Sequence, residues 1–172
     1  RWRFLWIVDP PLFEYDEESK RYVAAHHAFT RPHDTSLELL EKDPGKVLCH
    51  RYDLVLNGFE IGGGSIRLHD PDVQKRVFKA INLSEQEAEA KFGFLLHALK
   101  MGAPPHGGIA LGLDRLAMLL AGSESIRDVI AFPKTQQGNE IMSSCPDAAS
   151  PEQLLELHLA TTAPKVTVQG KG

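Results

Sequence analysis

Two acidic residues flank the clearest turn signal in the sequence. Asn57-Gly58 separates two apolar runs, and this arrangement predicts a hairpin with a two-residue type I′ turn. Pairing across the turn sets Asp53 opposite Gly62 and makes Asp53 and Glu60 diagonal neighbours on one face, with Cβ atoms about 7–8 Å apart. Two carboxylates at that spacing could share a divalent cation. From the hairpin alone, a solvated acidic face is the alternative interpretation.

Three consecutive glycines and an arginine follow this hairpin. Gly62-Gly63-Gly64 supplies no packing and costs conformational entropy in a strand, which suggests that a ligand approaches the backbone closely. Arg67 lies an odd number of residues after Glu60 and would face away from it in a regular strand, but a bulge at the glycines would bring both to one side. A guanidinium there would suit a carboxylate or phosphate, and a surface arginine on a flexible loop is the alternative.

A second glycine-rich segment runs from a predicted strand, His106–Leu111, into a predicted helix that opens at Gly112. Arg115 falls in the first turn of that helix, where it could grip a phosphate at the end of the sheet. The segment lacks the Gly-Lys-Ser or Gly-Lys-Thr of a P-loop and the spacing of a dinucleotide fingerprint. Taken alone, it is therefore a weak signal.

Two histidine-containing pairs could bind a ligand or simply pack. His26-His27 ends a predicted strand, and one of its rings should face the sheet surface that holds Glu60. Cys49-His50 could bind a metal with distant partners, but neighbouring strand residues point to opposite faces, so ordinary thiols at Cys49 and Cys145 are favoured. Two cysteines without a Cys-x-x-Cys pair exclude a disulfide framework and a zinc ribbon.

The composition of the 172 residues, 42% hydrophobic and 24% charged, is typical of a folded soluble domain. A net charge of −4 excludes a globally basic nucleic-acid binder, so any contact with nucleic acid would be local or made by another domain. The sequence begins with Arg1 and contains no apolar run long enough to span a membrane. These features indicate a cytoplasmic fragment of a longer protein.

Periodicity and capping signals predict the elements that must position these residues. Beside the hairpin, the predicted strands are Trp2–Val8, Tyr22–His27, His106–Leu111 and Ile126–Phe132. Predicted helices follow Asp70-Pro71, Ser84 with Glu87, Gly112 and Ser150-Pro151. Residues 31–45 are interpreted as a surface excursion that adds little to the core, and residues 160–172 as a weakly structured tail. The order of elements favours an α+β domain with a mainly antiparallel sheet.

Several of these segments together resemble one family. They are His26-His27-Ala28-Phe29-Thr30, Tyr52 to Arg67, Lys91-Phe92-Gly93-Phe94, Pro104 to Gly108, Gly112-Leu113-Asp114-Arg115 and Arg127 to Lys134. The combination resembles the C-terminal part of the catalytic domain of bacterial-type aspartyl-tRNA synthetases, which are class II aminoacyl-tRNA synthetases. The match extends to about Lys134 and is looser beyond Gln136.

The resemblance implies a fold and an activity. The fold would be a six-stranded antiparallel sheet flanked by helices, with residues 1–172 as the C-terminal portion of the catalytic domain and the third class-defining motif at 107–120. The activity would be aspartate–tRNA ligation, in which aspartate reacts with ATP and the aspartyl group passes to tRNA. The implied partners are L-aspartate, ATP, Mg²⁺, the aspartate tRNA and a second subunit of a full-length homodimer, without a membrane. Charging of the asparagine tRNA is left open.

The same resemblance implies roles for individual residues. Arg115 would contact the ATP γ-phosphate, and Glu60 would belong to the ATP and Mg²⁺ site. These two are the implied catalytic residues. The remaining implied residues are Gly112, Leu113 and Asp114 for ATP, Asp53 with Glu60 for the metal, and His26 and Arg67 for aspartate. In this assignment Arg67 pairs with the side-chain carboxylate of the amino acid.

Parts of the family pattern are missing from these 172 residues. The sequence offers no candidate for the first motif, which builds the dimer interface, for the arginine of the second motif, or for the anticodon-binding barrel. The fragment alone is therefore expected to charge little or no tRNA. Two alternatives stay open here, a ligand-binding paralogue and an aspartate–ammonia ligase on the same fold.

Overall fold

A four-stranded antiparallel sheet organises the first 126 residues. The computed structural model describes residues 1–162, which divide into two compact units with the boundary after Ile126. The strands are β1 (Phe4–Val8), β2 (Phe13–Asp16), β3 (Arg21–Ala24), β4 (Arg51–Leu56), β5 (Phe59–Ile66) and β6 (Gly107–Leu111). Four of them pair in the order β1-β4-β5-β6, and β2 and β3 form a separate hairpin. The described residues thus supply four strands of one sheet, fewer than the six that the resemblance implied.

The predicted hairpin forms with a different register. Asn57 and Gly58 take positive φ angles of 51° and 89°, as a type I′ turn requires. Val55 pairs with Glu60 as predicted, but the register then shifts by one residue, so that Asp53 faces Gly63 rather than Gly62. The predicted pairing of Asp53 is therefore wrong, because β5 carries one extra residue in a β-bulge.

Residues 1–162 form five α-helices. They are α1 (Leu39–Lys42), α2 (Pro71–Ala80), α3 (Glu85–Lys100), α4 (Leu113–Ala121) and α5 (Pro151–Glu156). The predicted caps are confirmed: Asp70 accepts from the first turn of α2, and Ser84 and Glu87 form a capping box. Gly122 ends α4 at a φ of 69°. The α+β class is confirmed.

Two predicted strands differ from the observed structure. The strand expected over Tyr22–His27 ends at Ala24, which leaves both histidines in the loop beyond it. The strand expected over Ile126–Phe132 is wrong, since Ile126–Asp128 forms a 3₁₀ turn. A short apolar run becomes a strand only when a neighbour pairs with it, and no strand within residues 1–162 pairs with this one.

The main core lies between the β2-β3 hairpin, α1 and α2. Its buried members are Leu12, Phe13, Leu40, Val47, Cys49, Leu68 and Val77. Leu40, in the segment predicted to add little to the core, is 1% exposed, so that prediction is wrong. The reason lies in the tertiary structure. Arg76 of α2 donates to Glu41 at 2.7 Å and to the Leu37 carbonyl at 2.7 Å, and these hydrogen bonds hold α1 against α2.

The outer strand β1 leaves its apolar side chains about half exposed. Leu5, Trp6 and Ile7 point alternately to the two faces, and their exposed fractions are 53%, 55% and 49%. Among residues 1–162, no helix has the length and apolar character needed to cross a membrane. Residues 160–162 form no helix or strand, and the rest of the predicted tail, 163–172, lies outside the described residues.

The close approach of β5 and β6 leads to a stability prediction. A Cβ at Gly64 would overlap the Gly108 carbonyl oxygen and lie 2.9 Å from the Ile109 Cα. Gly64→Ala should therefore lower the free energy of unfolding by about 2–3 kcal/mol, measured by urea denaturation of the 172-residue chain. Gly108→Ala is the matched control, because nothing lies within 4 Å of its Cβ position. Equal stability of the two variants would contradict the geometry.

Candidate active site

A cleft of about 950 Å³ opens where β5, β6 and the start of α4 meet the loop after β3. Among the residues that the sequence analysis selected, Glu60, Arg67, Gly112, Asp114 and Arg115 line this cleft. The cleft is also lined by His27, Arg51 and His106, which that analysis did not select.

The bulge in β5 places the acidic pair on one face. A Cβ on Gly63 would lie 2.5 Å from Asp53 Oδ1, 3.3 Å from Glu60 Oε1 and 3.6 Å from an Arg51 nitrogen. Both carboxylates therefore flank one point above Gly63, where the absence of a side chain leaves room between them. The predicted shared face of Asp53 and Glu60 is confirmed, although the pairing that was expected to produce it is not.

The same bulge turns Arg67 toward the acids. Because Arg51 pairs with Ser65 and Asp53 with Gly63, those four residues share one face, and Arg67 continues the alternation two residues after Ser65. The odd spacing from Glu60 is thus compensated by the extra residue, which is Ile61, directly before the glycines where the bulge was expected.

Arg51 and Asp53 form an ion pair at the floor of this face. Arg51 Nη2 lies 2.9 Å from Asp53 Oδ1, and the two side chains are only 18% and 17% exposed. Asp53 Oδ1 is nevertheless buried without an aligned hydrogen bond. A buried carboxylate oxygen with spare accepting capacity is a position where a cation or a donor group would be stabilised.

Arg67 contacts His27. Arg67 Nη1 lies 2.6 Å from His27 Nε2 and 3.1 Å from Nδ1. Since a guanidinium can only donate, the histidine must accept at the contacting nitrogen and so be unprotonated there. Burial, and next the Arg67 charge, lower the pKa of His27, which agrees with a neutral ring at pH 7.

Backbone hydrogen bonding connects Arg67 to two neighbouring segments. Its N–H donates to the His106 carbonyl at 2.9 Å, and it forms an antiparallel bridge with Thr30. Its side chain is half-buried, and within residues 1–162 it has no carboxylate partner, whereas Arg31, Arg51 and Arg76 each have one. A partly desolvated guanidinium without an anion is a site for an external carboxylate or phosphate.

The side chains of His26 and His27 have different surroundings. His26 is exposed and does not line the cleft, whereas His27 lines it and contacts Arg67. His26 still lies in the field of Arg51, Asp53 and Glu60: burial and Arg51 lower its pKa, and the carboxylates of Asp53, Glu14 and Glu60 oppose this. A contact between His26 and aspartate therefore stays a prediction.

Arg115 reaches from the first turn of α4 back to β5. Its Nη1 donates to the Glu60 carbonyl oxygen at 2.6 Å and lies 3.9 Å from Glu60 Oε2. Gly112 anchors the junction, since its N–H donates to the Ile61 carbonyl at 2.8 Å. Leu113 is 77% exposed and does not line the cleft. Arg115 is half exposed, so its remaining donors face solvent at the cleft mouth.

The sequence patterns did not point to Arg51, and for the His26-His27 pair they did not decide which ring faces the site. Strand parity could have found Arg51, which lies two residues before Asp53 and must share its face. No comparable signal was available for His27, because both histidines lie beyond the end of β3, where alternation no longer holds.

Comparison with known proteins places this geometry in a family. The family model for tRNA synthetases class II (D, K and N) matches residues 1–136. The chain belongs to this family. The glycine-rich strand-to-helix junction at 107–120 and the Glu60–Arg67 strand both lie within the matched range.

Two curated relatives of this chain carry the same name. The chain is 70% identical over 161 residues to the aspartate–tRNA(Asp/Asn) ligase of Anaeromyxobacter sp. (strain K), covering 94% of this chain and 27% of that protein. It is 62% identical to the ligase of that name from Caldanaerobacter subterraneus subsp. tengcongensis, covering 92% and 27%. The chain thus spans about a quarter of the length of these relatives.

Solved structures agree on the fold. The aspartyl-tRNA synthetase of Entamoeba histolytica superposes with a TM-score of 0.57 at 25% identity, covering 78% of this chain and 23% of that one. The asparaginyl-tRNA synthetase of the same organism, in complex with asparaginyl-adenylate, also gives 0.57 at 25% identity, covering 80% and 26%. Equal scores for the two amino-acid specificities mean that the fold alone does not select the substrate.

Proposed function

We propose that this chain forms the aspartate-recognition and ATP side of the active site in an aspartate–tRNA ligase. The reaction joins an α-carboxylate oxygen of L-aspartate to the α-phosphorus of ATP and releases pyrophosphate. The aspartyl group then passes to a hydroxyl of tRNA, and AMP leaves as the bond between the carboxyl oxygen and the aspartyl carbonyl carbon breaks. The curated relatives, at 70% and 62% identity, are named for this activity. They do not favour a binding paralogue or an ammonia ligase.

One observation carries the choice of amino acid: Arg67 is half-buried and has no carboxylate partner within residues 1–162. A guanidinium fork pairs with two carboxylate oxygens, whereas an amide would present an N–H group to one of its donors. The side-chain carboxylate of aspartate therefore suits Arg67, and asparagine would leave a desolvated charge without its full partner. His27 contacts Nη1 of the same guanidinium, and His26 is assigned to the bound amino acid.

ATP is assigned to the other end of the cleft. Arg115 would neutralise the γ-phosphate, with Gly112, Leu113 and Asp114 at the same junction and Glu60 beside it. The tether from Arg115 to the Glu60 carbonyl fixes the direction of the guanidinium before any ligand binds. Pre-set cations lower the repulsion between an anionic carboxylate and a polyphosphate, and they hold the attack in line.

Asp53 and Glu60 fit a Mg²⁺ ion by the chemistry of their donors. Both offer hard carboxylate oxygens beside Gly63, and Asp53 Oδ1 is buried without an aligned hydrogen bond. Bound there, Mg²⁺ would neutralise phosphate charge and orient the ATP oxygens. The ion pair with Arg51 holds the Asp53 side chain in place.

The wider assignments follow the family. The proposed partners are L-aspartate, ATP and tRNA(Asp), with tRNA(Asn) suggested by the name of the relatives. A homodimer of the full-length enzyme and a cytoplasmic location complete the proposal.

Amino-acid-dependent exchange of pyrophosphate into ATP tests the proposal. In a synthetase that carries this chain, aspartate should support exchange about 10⁴-fold better than asparagine, because the Arg67 site is matched to a carboxylate. Glutamate, which has the charge but one more methylene, serves as the control for side-chain length. Comparable exchange with asparagine would contradict the assignment of aspartate.

A further inference from the structure

A second cluster of ligand-type side chains lies on the sheet face opposite the active-site acids. Asp9, His33 and His50 each offer one donor atom, and these three atoms all lie within 4.8 Å of one another. His50 precedes Arg51 in extended chain, so it points away from the cleft residues by strand alternation. The activity proposed above uses none of the three.

Backbone hydrogen bonds hold the three ligand segments side by side. The segment at His50 is central: Asp9 N–H donates to the Arg51 carbonyl at 3.3 Å, and His50 N–H donates to the Arg31 carbonyl at 2.9 Å. His33 N–H donates to the Leu48 carbonyl at 2.9 Å. The bridges Pro11–Leu48 and Pro32–Cys49 set the register on the two sides.

That register brings the three side chains to one face. The Pro11–Leu48 bridge sets Asp9 opposite His50, and the Pro32–Cys49 bridge makes His33 the diagonal neighbour of His50. Directly opposed Cβ atoms lie about 4.5–5.5 Å apart, which suits two ligands of one ion. The alternate residue Cys49 is buried in the core, so the thiol takes no part.

The side chains already lie in contact, and the two stacked rings would have to turn for their in-plane lone pairs to meet at one ion. His33 Nε2 lies 2.9 Å from Asp9 Oδ1, and the rings of His33 and His50 stack with centroids 4.0 Å apart. A cation would replace the shared proton of the first contact. Arg31 lies on the same face, but Asp34 neutralises it at 2.9 Å.

We propose that Asp9, His33 and His50 bind a zinc ion. Two imidazoles and one carboxylate form a borderline donor set that suits Zn²⁺ better than Mg²⁺, with a fourth position left for water. Around zinc, ligands at about 2.0–2.1 Å lie roughly 3.3 Å from one another, so binding needs side-chain movements of about an ångström. The ion would cross-link three segments distant in sequence beside the first residue of β4.

Cobalt substitution of the 172-residue chain tests this site. Co²⁺ alone, added to EDTA-treated protein, should bind in one equivalent with visible absorption typical of four-coordinate cobalt, and Zn²⁺ should displace it. His33→Gln and His50→Gln should each weaken Co²⁺ binding by about 100-fold or more, since even outer-shell changes cost 10–100-fold. His97→Gln, which removes a histidine paired with Glu89 at 3.1 Å, should leave binding unchanged.

Folding of the variants is followed separately by their melting temperatures in EDTA. Asp9→Asn supplies a second series, because it keeps the size of the side chain and removes its charge. Stoichiometric binding that survives both histidine changes would overturn the proposal, and so would the absence of binding to the unaltered chain. Binding lost on Cys145→Ser, with strong sulfur-to-cobalt absorption in the near ultraviolet, would also overturn it.

Discussion

Aspartate-dependent pyrophosphate exchange is expected to fall by about 10³-fold when Arg67 is replaced by alanine in a synthetase that carries this chain. The loss arises because the substrate's side-chain carboxylate would then be desolvated without a cationic partner. It should appear mainly in kcat/KM for aspartate, with KM for ATP changed little. Arg67→Lys should recover only part of the activity, since an ammonium lacks the two-donor fork.

Arg31→Ala is the matched control for that experiment. Arg31 is close to Arg67 in the fold, but its side chain pairs with Asp34 and does not line the cleft. Its removal should leave exchange unchanged, and melting temperatures of both variants would show that the fold is retained. Near-normal exchange by Arg67→Ala would remove Arg67 from the aspartate site.

Arg115→Ala, which removes the guanidinium, should lower the rate of pyrophosphate exchange by about 10²–10³-fold. The physical reason differs from that for Arg67: in the proposed site, Arg115 would face the developing charge of the leaving pyrophosphate, from a direction preset by its bond to the Glu60 carbonyl. The effect should therefore fall on KM for ATP and on kcat, with KM for aspartate nearly unchanged.

The two arginine variants together form a cross-check. Arg67→Ala should affect the aspartate dependence and Arg115→Ala the ATP dependence, while Arg21→Ala, far from the cleft lining, should affect neither. An Arg115→Ala enzyme that uses ATP normally would contradict the placement of the γ-phosphate at the start of α4. Loss of both dependences in either variant would instead indicate a general collapse of the cleft.

Local signals predicted the fold well where neighbouring residues decide the conformation. The Asn57-Gly58 turn and the caps at Asp70 and Ser84 formed as expected, because each depends on a few consecutive residues. The contribution of Leu40 to the core depends on its packing against α2, and sequence periodicity over a few residues could not show it.

The site was predictable in its residue types and less so in its geometry. Regular alternation placed Asp53 and Glu60 correctly on one face through an incorrect register, and it could not decide which histidine meets Arg67. The Asp9, His33 and His50 cluster joins three segments that are distant in sequence. Only the register of the observed bridges brings these residues together.

The single extra residue in β5 has a consequence for how such strands can vary in length. If the seven-residue step from Glu60 to Arg67 ran through a regular strand without the bulge, the two side chains would stand on opposite sides of the sheet. A deletion that removes the bulged residue itself would keep both side chains on one side, because the step is then six residues long. A deletion that leaves the bulge in place would move one of them to the other side, so the bulge and the number of residues between Glu60 and Arg67 must change together.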